Sequence, residues 1–87
     1  MSNYRIIWST KSISQLNKLP KSIRIAVYKN VDKLKEKPYK KEVKKLRGLP
    51  YFRLRVGDYR VIFNIDKNIF EVLVILVGHR KNIYKNL

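Results

Sequence analysis

The chain has 87 residues, no cysteine, and 21 Lys and Arg against six Asp and Glu, for a formal charge of +15. That length implies one domain spanning residues 1–87, able to bury about 60–65% of its unfolded surface, and the missing thiols exclude a disulfide framework and a thiolate metal site. The longest apolar run, Val72 to Val77, is too short to span a bilayer; a surface this basic attracts nucleic acid, an anionic membrane or an acidic protein, and of these no membrane partner is expected.

Met1 to Arg5 leads into alternation and not into the apolar stretch of a signal peptide, which with the absent cysteines indicates a cytoplasmic protein. Tyr4, Ile6 and Trp8 alternate with Arg5 and Ile7, predicting a first strand over Tyr4 to Trp8. Ser9 or Thr10 offers an N-cap, and a short helix with Ile13 and Leu16 on one face follows, stopped by Pro20. The main helix runs from Lys21 to about Lys37, with Ile23, Val27, Val31 and Leu34 as its buried stripe. Lys37-Pro38 ends it, because the residue before proline is pushed out of the helical region.

Pro38 to Pro50 reads as a basic connector with Lys40, Lys41, Lys44, Lys45 and Arg47, only Glu42 as counter-charge, and no strong periodicity. Gly57-Asp58 is a two-residue turn between two alternating runs, so Tyr51 to Ile65 reads as a hairpin in which Val56 pairs with Tyr59, Arg55 with Arg60 and Leu54 with Val61. Asp66-Lys67-Asn68 is a second turn, and Ile69 to Val77 is an almost continuous apolar strand covered on both sides, broken by Gly78. His79 to Tyr84 forms a short tail. Helices followed by a run of antiparallel strands give an α+β domain, β-α-α-β-β-β, with a mainly antiparallel sheet and both helices on one face.

One face of the hairpin carries Phe52, Leu54, Val56, Tyr59, Val61 and Phe63; the other carries Arg53, Arg55 and Arg60, with Ile62 among them. Like charges opposite each other destabilise a sheet, so three guanidinium groups with no acid on their face point to an anion, and on a chain this basic to a nucleic-acid phosphate. A three-residue second loop would set Arg60 opposite Val74 and put even-numbered residues of the last strand on the arginine face. Arg80 would then lie past the strand end, near the tip of the first hairpin, with His79 and Tyr84 close in sequence. A one-residue slip would reverse the faces.

The inventory suits phosphate chemistry without metal or small-molecule cofactor: guanidinium groups to stabilise charge on a phosphorane, and one imidazole or phenol to move a proton. RNA supplies its own nucleophile, the 2′-hydroxyl, which DNA lacks. The blander alternatives are that Arg60 pairs with Asp58 or Glu71, that Tyr84 packs on Trp8 or the last strand, that His79 is a surface side chain, and that the lysines form a solvated surface.

Three segments resemble the RelE/ParE superfamily of toxins: Lys45-Leu-Arg-Gly-Leu-Pro50; Phe52-Arg-Leu-Arg-Val-Gly-Asp-Tyr-Arg-Val-Ile-Phe63; and Val77-Gly-His-Arg80 followed by Tyr84. Arg80 together with Tyr84 makes the resemblance closer to RelE than to ParE. RelE-like proteins cleave messenger RNA in the ribosomal A site and are neutralised by an antitoxin, whereas ParE-like proteins share the fold and poison DNA gyrase. The resemblance implies a toxin of a type II toxin–antitoxin system. It further implies a ribosome-dependent mRNA endonuclease without metal, partnered by an acidic RelB-like antitoxin, mRNA and ribosomal RNA. The other readings are a gyrase inhibitor and a non-catalytic binding member of the fold.

By the same resemblance Arg60 stabilises phosphate charge, Arg80 stabilises or protonates the leaving group, and Tyr84 stacks on or positions the substrate. Arg53 and Arg55 match strand positions that are often lysine. At Arg55 the family lysine has been assigned as general base, a role that arginine, always protonated, fills poorly, and His79 is the substitute. Lys40, Lys41, Lys44, Lys45 and Arg47, with Arg53, are expected to follow the RNA backbone.

Overall fold

A computed structural model describes residues 3–87; Met1 and Ser2, where the absence of a signal peptide is read, lie outside the described residues. Strand β1 (Arg5–Trp8) is followed by helices α1 (Thr10–Asn17) and α2 (Lys21–Asp32), then by strands β2 (Val43–Lys45), β3 (Phe52–Val56), β4 (Tyr59–Asp66) and β5 (Glu71–His79), and by a 3-10 turn, Ile83–Asn86. The strands form one sheet in the order β1-β5-β4-β3-β2. β1 runs parallel to β5 and every other pairing is antiparallel. The expected α+β class and element order hold, with one strand added and one parallel pair.

Val27 and Val31 of α2 and Leu34 just beyond it are fully buried against Leu54, Val61, Phe63, Val72 and Val74 of the sheet. Each such side chain contributes about 1.5–3 kcal/mol by leaving water, so this layer holds the helices to one face. Pro20 ends α1 and opens α2: its φ of −54° suits a helix entry, and its carbonyl accepts from the Arg24 N–H at 2.9 Å. α2 stops at Asp32, earlier than the expected Lys37, and tightens into a 3-10 turn, Lys33–Lys35. The added strand, β2, pairs Val43 with Leu54, Lys44 with Arg53 and Lys45 with Phe52, inside the segment read as a connector.

β1 ends at Trp8, opposite Val74, so the rest of β5 has no strand on that side. α1 covers it with side chains. The Ser9 N–H and the fully buried Ser12 hydroxyl donate to the Val74 carbonyl, the Ser9 hydroxyl donates to the Ile75 carbonyl at 3.1 Å, and Gln15 Oε1 accepts from the Val77 N–H at 2.8 Å. Ser9 also caps α1, accepting from the Ser12 N–H, as its position predicts. A buried strand edge is tolerated because its backbone groups are satisfied.

The first hairpin has the predicted register: Val56 with Tyr59, Arg55 with Arg60, Leu54 with Val61. The second differs. Asp66 pairs with Glu71, closing a four-residue turn in which Asp66 Oδ1 accepts from the Asn68 N–H at 3.0 Å and Phe70 adopts φ 52°. Ile69 and Phe70 therefore belong to the turn, and β5 continues through Gly78 to His79 instead of breaking there. A bulge between Ile62 and Phe63 then shifts the pairing by one residue, so that Ile62 faces Leu76 and Arg60 faces Gly78, not Val74. Before the bulge even-numbered residues of β5, Val72 and Val74, face the helices; after it Leu76 and Gly78 lie on the arginine face.

Candidate functional site

On the face away from the helices, neighbouring strands align Lys44, Arg53, Ile62 and Leu76 in one row, and Arg55, Arg60 and Gly78 in the next. The Gly57-Asp58 turn organises the second row. Gly57 takes φ 57°, the left-handed conformation a tight hairpin requires. Arg60 Nη1 donates to the Gly57 carbonyl at 2.8 Å and to the Tyr59 carbonyl at 2.9 Å. The Asp58 carbonyl accepts from the Arg80 N–H at 2.8 Å, and the Arg80 Nε lies 3.5 Å from Asp58 Oδ1. The carbonyls of three successive residues, Gly57, Asp58 and Tyr59, thus hold two arginines. Arg60 pairs with neither Asp58 nor Glu71; Glu71 is taken by Arg5 at 2.9 Å.

Arg53 and Arg55 line a surface cleft of about 310 Å³ with Lys41, Glu42 and Lys44. The Glu42 carbonyl accepts from the Arg55 N–H at 3.2 Å, which fixes the β2 side of the cleft. Lys45 pairs with Phe52, which packs on the helix side, so alternation turns it away from this cleft. Arg47 is exposed in the turn before β3, beside Gly48 at φ 74°. Lys40 is half-buried; desolvation lowers its pKa below the ordinary lysine value against the opposing pull of Glu42.

His79 is not brought onto the arginine face. It pairs with Tyr59, and the two rings meet edge to face at 5.3 Å, with Tyr59 packed on the helix-side core. Its Nδ1 accepts from the Lys81 N–H at 3.2 Å. With Nδ1 an acceptor, the neutral ring carries its proton on Nε2, which donates. Tyr84 is 42% exposed, and the Trp8 ring stacks on Tyr28 instead. Its neighbour Ile83 is buried over Gly78, the residue across from Arg60, and brings the tail back to this face.

The Asp58 contact to Arg80 and the seat of Ile83 were missed in the sequence. The available signals were a lone glycine inside an apolar strand and a lone branched residue in a polar tail.

Residues 6–84 match the family model described as the ParE toxin of type II toxin–antitoxin system, parDE. The chain belongs to this toxin family. Among solved structures, the toxin is similar to a chain of the RelBE2 toxin–antitoxin complex from Mycobacterium tuberculosis, at 31% identity and TM-score 0.82 over 90% of this chain and 99% of that one. An archaeal RelE–RelB complex from Pyrococcus horikoshii OT3 gives 27% identity and TM-score 0.80 over 90% and 96%. The intact Escherichia coli RelBE complex gives 28% identity and TM-score 0.74 over 87% and 95%. No curated protein sequence matches the toxin. It is a type II toxin–antitoxin toxin of the RelE/ParE superfamily, and among its described residues no helix is long and apolar enough to cross a membrane.

Proposed function

We propose that this toxin is a metal-independent mRNA endonuclease that acts on ribosome-bound message in the cytoplasm. The observation that carries this reading is the turn that holds Arg60 and Arg80 together beside Arg55, at the end of a cationic cleft. In the reaction the 2′-oxygen attacks the adjacent phosphorus, the 5′-oxygen departs, and a 2′,3′-cyclic phosphate remains on the upstream fragment. Arg60 keeps Nε and Nη2 clear of the turn carbonyls for a phosphate oxygen, and with Arg80 it offsets the charge that grows on the phosphorane and the leaving oxygen. Arg53, Arg55, Lys41 and Lys44 hold the backbone, with Arg47 and Lys40 at the margin, and Tyr84 stacks on a base. His79 presents a donor nitrogen, so the 2′-hydroxyl proton goes to Tyr84, to a phosphate oxygen or to ribosomal RNA.

The natural inhibitor in this reading is an acidic RelB-like antitoxin, as in the complexes formed by the relatives. A groove of about 380 Å³ between the helices, lined by Leu16, Ile25 and Tyr28 with Arg24 and Lys29 beside them, suits an amphipathic acidic helix. The family match to ParE favours a second reading, gyrase inhibition. Primer extension on messages from translating cells, after brief induction, separates the two. Discrete cuts within codons support the nuclease; intact messages with gyrase-trapped DNA breaks overturn it.

A further inference from the structure

The arginine face carries a small core of its own. Ile62 of β4, Leu76 of β5 and Ile83 of the C-terminal 3-10 turn are buried together, and Leu46, Tyr51 and Ile75 pack against them. Of the side chains described from Arg80 onward, only Ile83 is buried, at 2% exposure. The hydrogen bonds of the tail itself are local: Asn82 to His79, Lys85 to Asn82, Leu87 to Tyr84. Beyond the Arg80–Asp58 contact, the one described side chain of this segment that is buried against the sheet is Ile83.

That side chain has a prepared seat. A Cβ added to Gly78 would lie 3.1 Å from Ile83 Cδ1, tighter than most carbon contacts, so the Ile83 side chain would have to give by a few tenths of an ångström. Gly78 has no left-handed φ that would require glycine, so what its missing side chain supplies here is room for Ile83. The other wall is the segment between β2 and β3, whose Leu46 N–H donates to the Tyr51 carbonyl at 2.9 Å and whose tip carries Arg47. Ile83 therefore brings the tail that carries Tyr84 into the same small core against which the loop carrying Arg47 packs.

We infer that Ile83 is a positioning residue, whose side chain, seated over Gly78, holds the tail and the Leu46–Tyr51 loop in one arrangement and so places Tyr84 for cleavage. The inference rests on the nuclease reading. A side chain that only positions should act on the chemical step and leave message capture, set by the cationic cleft, unchanged. Misplacing a contact by about 1 Å costs on the order of a hundred-fold in rate.

The test is single-turnover cleavage of message on programmed ribosomes, together with amide hydrogen exchange, for the wild type, Ile83→Ala, Ile83→Val and Gly78→Ala. For Ile83→Ala the expected result is kcat lower by about a hundred-fold, KM unchanged, and faster exchange in the tail and in the Leu46–Tyr51 loop, with β4 and β5 amides unaffected. Ile83→Val restores most of the rate. Gly78→Ala, which crowds the seat from below, reproduces the split if Ile83→Ala does not fold. A wild-type kcat in either disruptive variant, slow cleavage with tail and loop still protected, or looser exchange in the tail alone would overturn the inference. A wild type that cuts no message on ribosomes overturns the nuclease reading instead, and the exchange pattern still decides whether Ile83 ties the two arms together.

Discussion

The Arg80 amide reaches back to the Asp58 carbonyl at 2.8 Å, a backbone bond that fastens the end of β5 to the tip of the first hairpin. Its side chain adds a contact of 3.5 Å to the Asp58 carboxylate, with both groups more than half exposed. An exposed pair of this kind is worth about 0–1 kcal/mol.

Arg80→Ala should therefore fold normally and lose toxicity. The backbone bond survives the substitution, and the side-chain pair contributes little to stability. Removing a charged donor from the transition state costs about 2.7–4 kcal/mol, on the order of a hundred- to a thousand-fold in rate. Growth arrest on induction and a thermal melt check the two halves; full toxicity in a well-expressed variant would remove Arg80 from the reaction.

Gln15→Leu should destabilise the fold without touching the arginine face. The Gln15 amide oxygen takes the Val77 N–H, which has no strand beside it. Leaving a buried donor unmatched costs about 1–3 kcal/mol, and for a domain of this size each kcal/mol moves the melting midpoint by about 4–8 °C. A melt unchanged by the substitution would show that solvent serves Val77 as well as Gln15 does.

His79→Ala should retain cleavage to within about tenfold, well short of the 10²–10⁴ that losing a general base costs. The reason is placement: the ring meets Tyr59 on the helix side, and Nδ1 is occupied by the Lys81 amide. A base must be unprotonated to act, so a histidine base would make the rate fall toward mildly acid pH. The rate measured across that range should stay flat; a loss that His79→Ala reproduces would return the base to His79.

Lys44→Gln and Arg55→Gln should weaken RNA binding evenly across sequences. Both line the cleft beside Arg53 without an ordered ion pair among the described residues. Removing one cation from the phosphate backbone should flatten the dependence of log K on log salt by about 0.7 for a single strand. A change of codon preference with the salt slope intact would assign these residues to base reading.

Ile25→Glu should block the antitoxin and spare the toxin. Ile25 is 42% exposed on α2, in the groove between the helices and away from the arginines. A carboxylate there meets an acidic helix with like charge. Coexpression with an adjacent small acidic open reading frame, scored by copurification and growth rescue, decides it; unchanged rescue would move the antitoxin off this groove.

The hairpin was legible because its signals are local. The Gly57-Asp58 turn and strict alternation fix the register of β3 on β4 to the residue. The pairing of β4 with β5 was not, since two departures act on it: a turn closed by Phe70 at φ 52°, and the bulge at Ile62/Phe63. Arg60 nonetheless faces an even-numbered residue, because the longer turn reverses the parity and the bulge restores it. β2 was hidden because two of its three residues are exposed lysines. Its pairing comes from backbone bonds to β3, which leave no mark on side-chain pattern. Closeness in sequence groups His79 with the arginines, and alternation separates them. Ile83 lies in the short tail, where nothing local announces a seat formed by a glycine five residues earlier and a loop more than thirty residues away.

The parallel pairing of Arg5 with Glu71 spans 66 positions and gives β1 its only neighbour in the sheet. During synthesis, at about 5–20 residues per second, the first strand waits several seconds for its mate, and Arg80 and Tyr84 emerge later still. Long-range closure of this kind is slow compared with the local hairpin. A nascent copy thus lacks both a closed sheet and the arginine delivered by β5 until synthesis is nearly done.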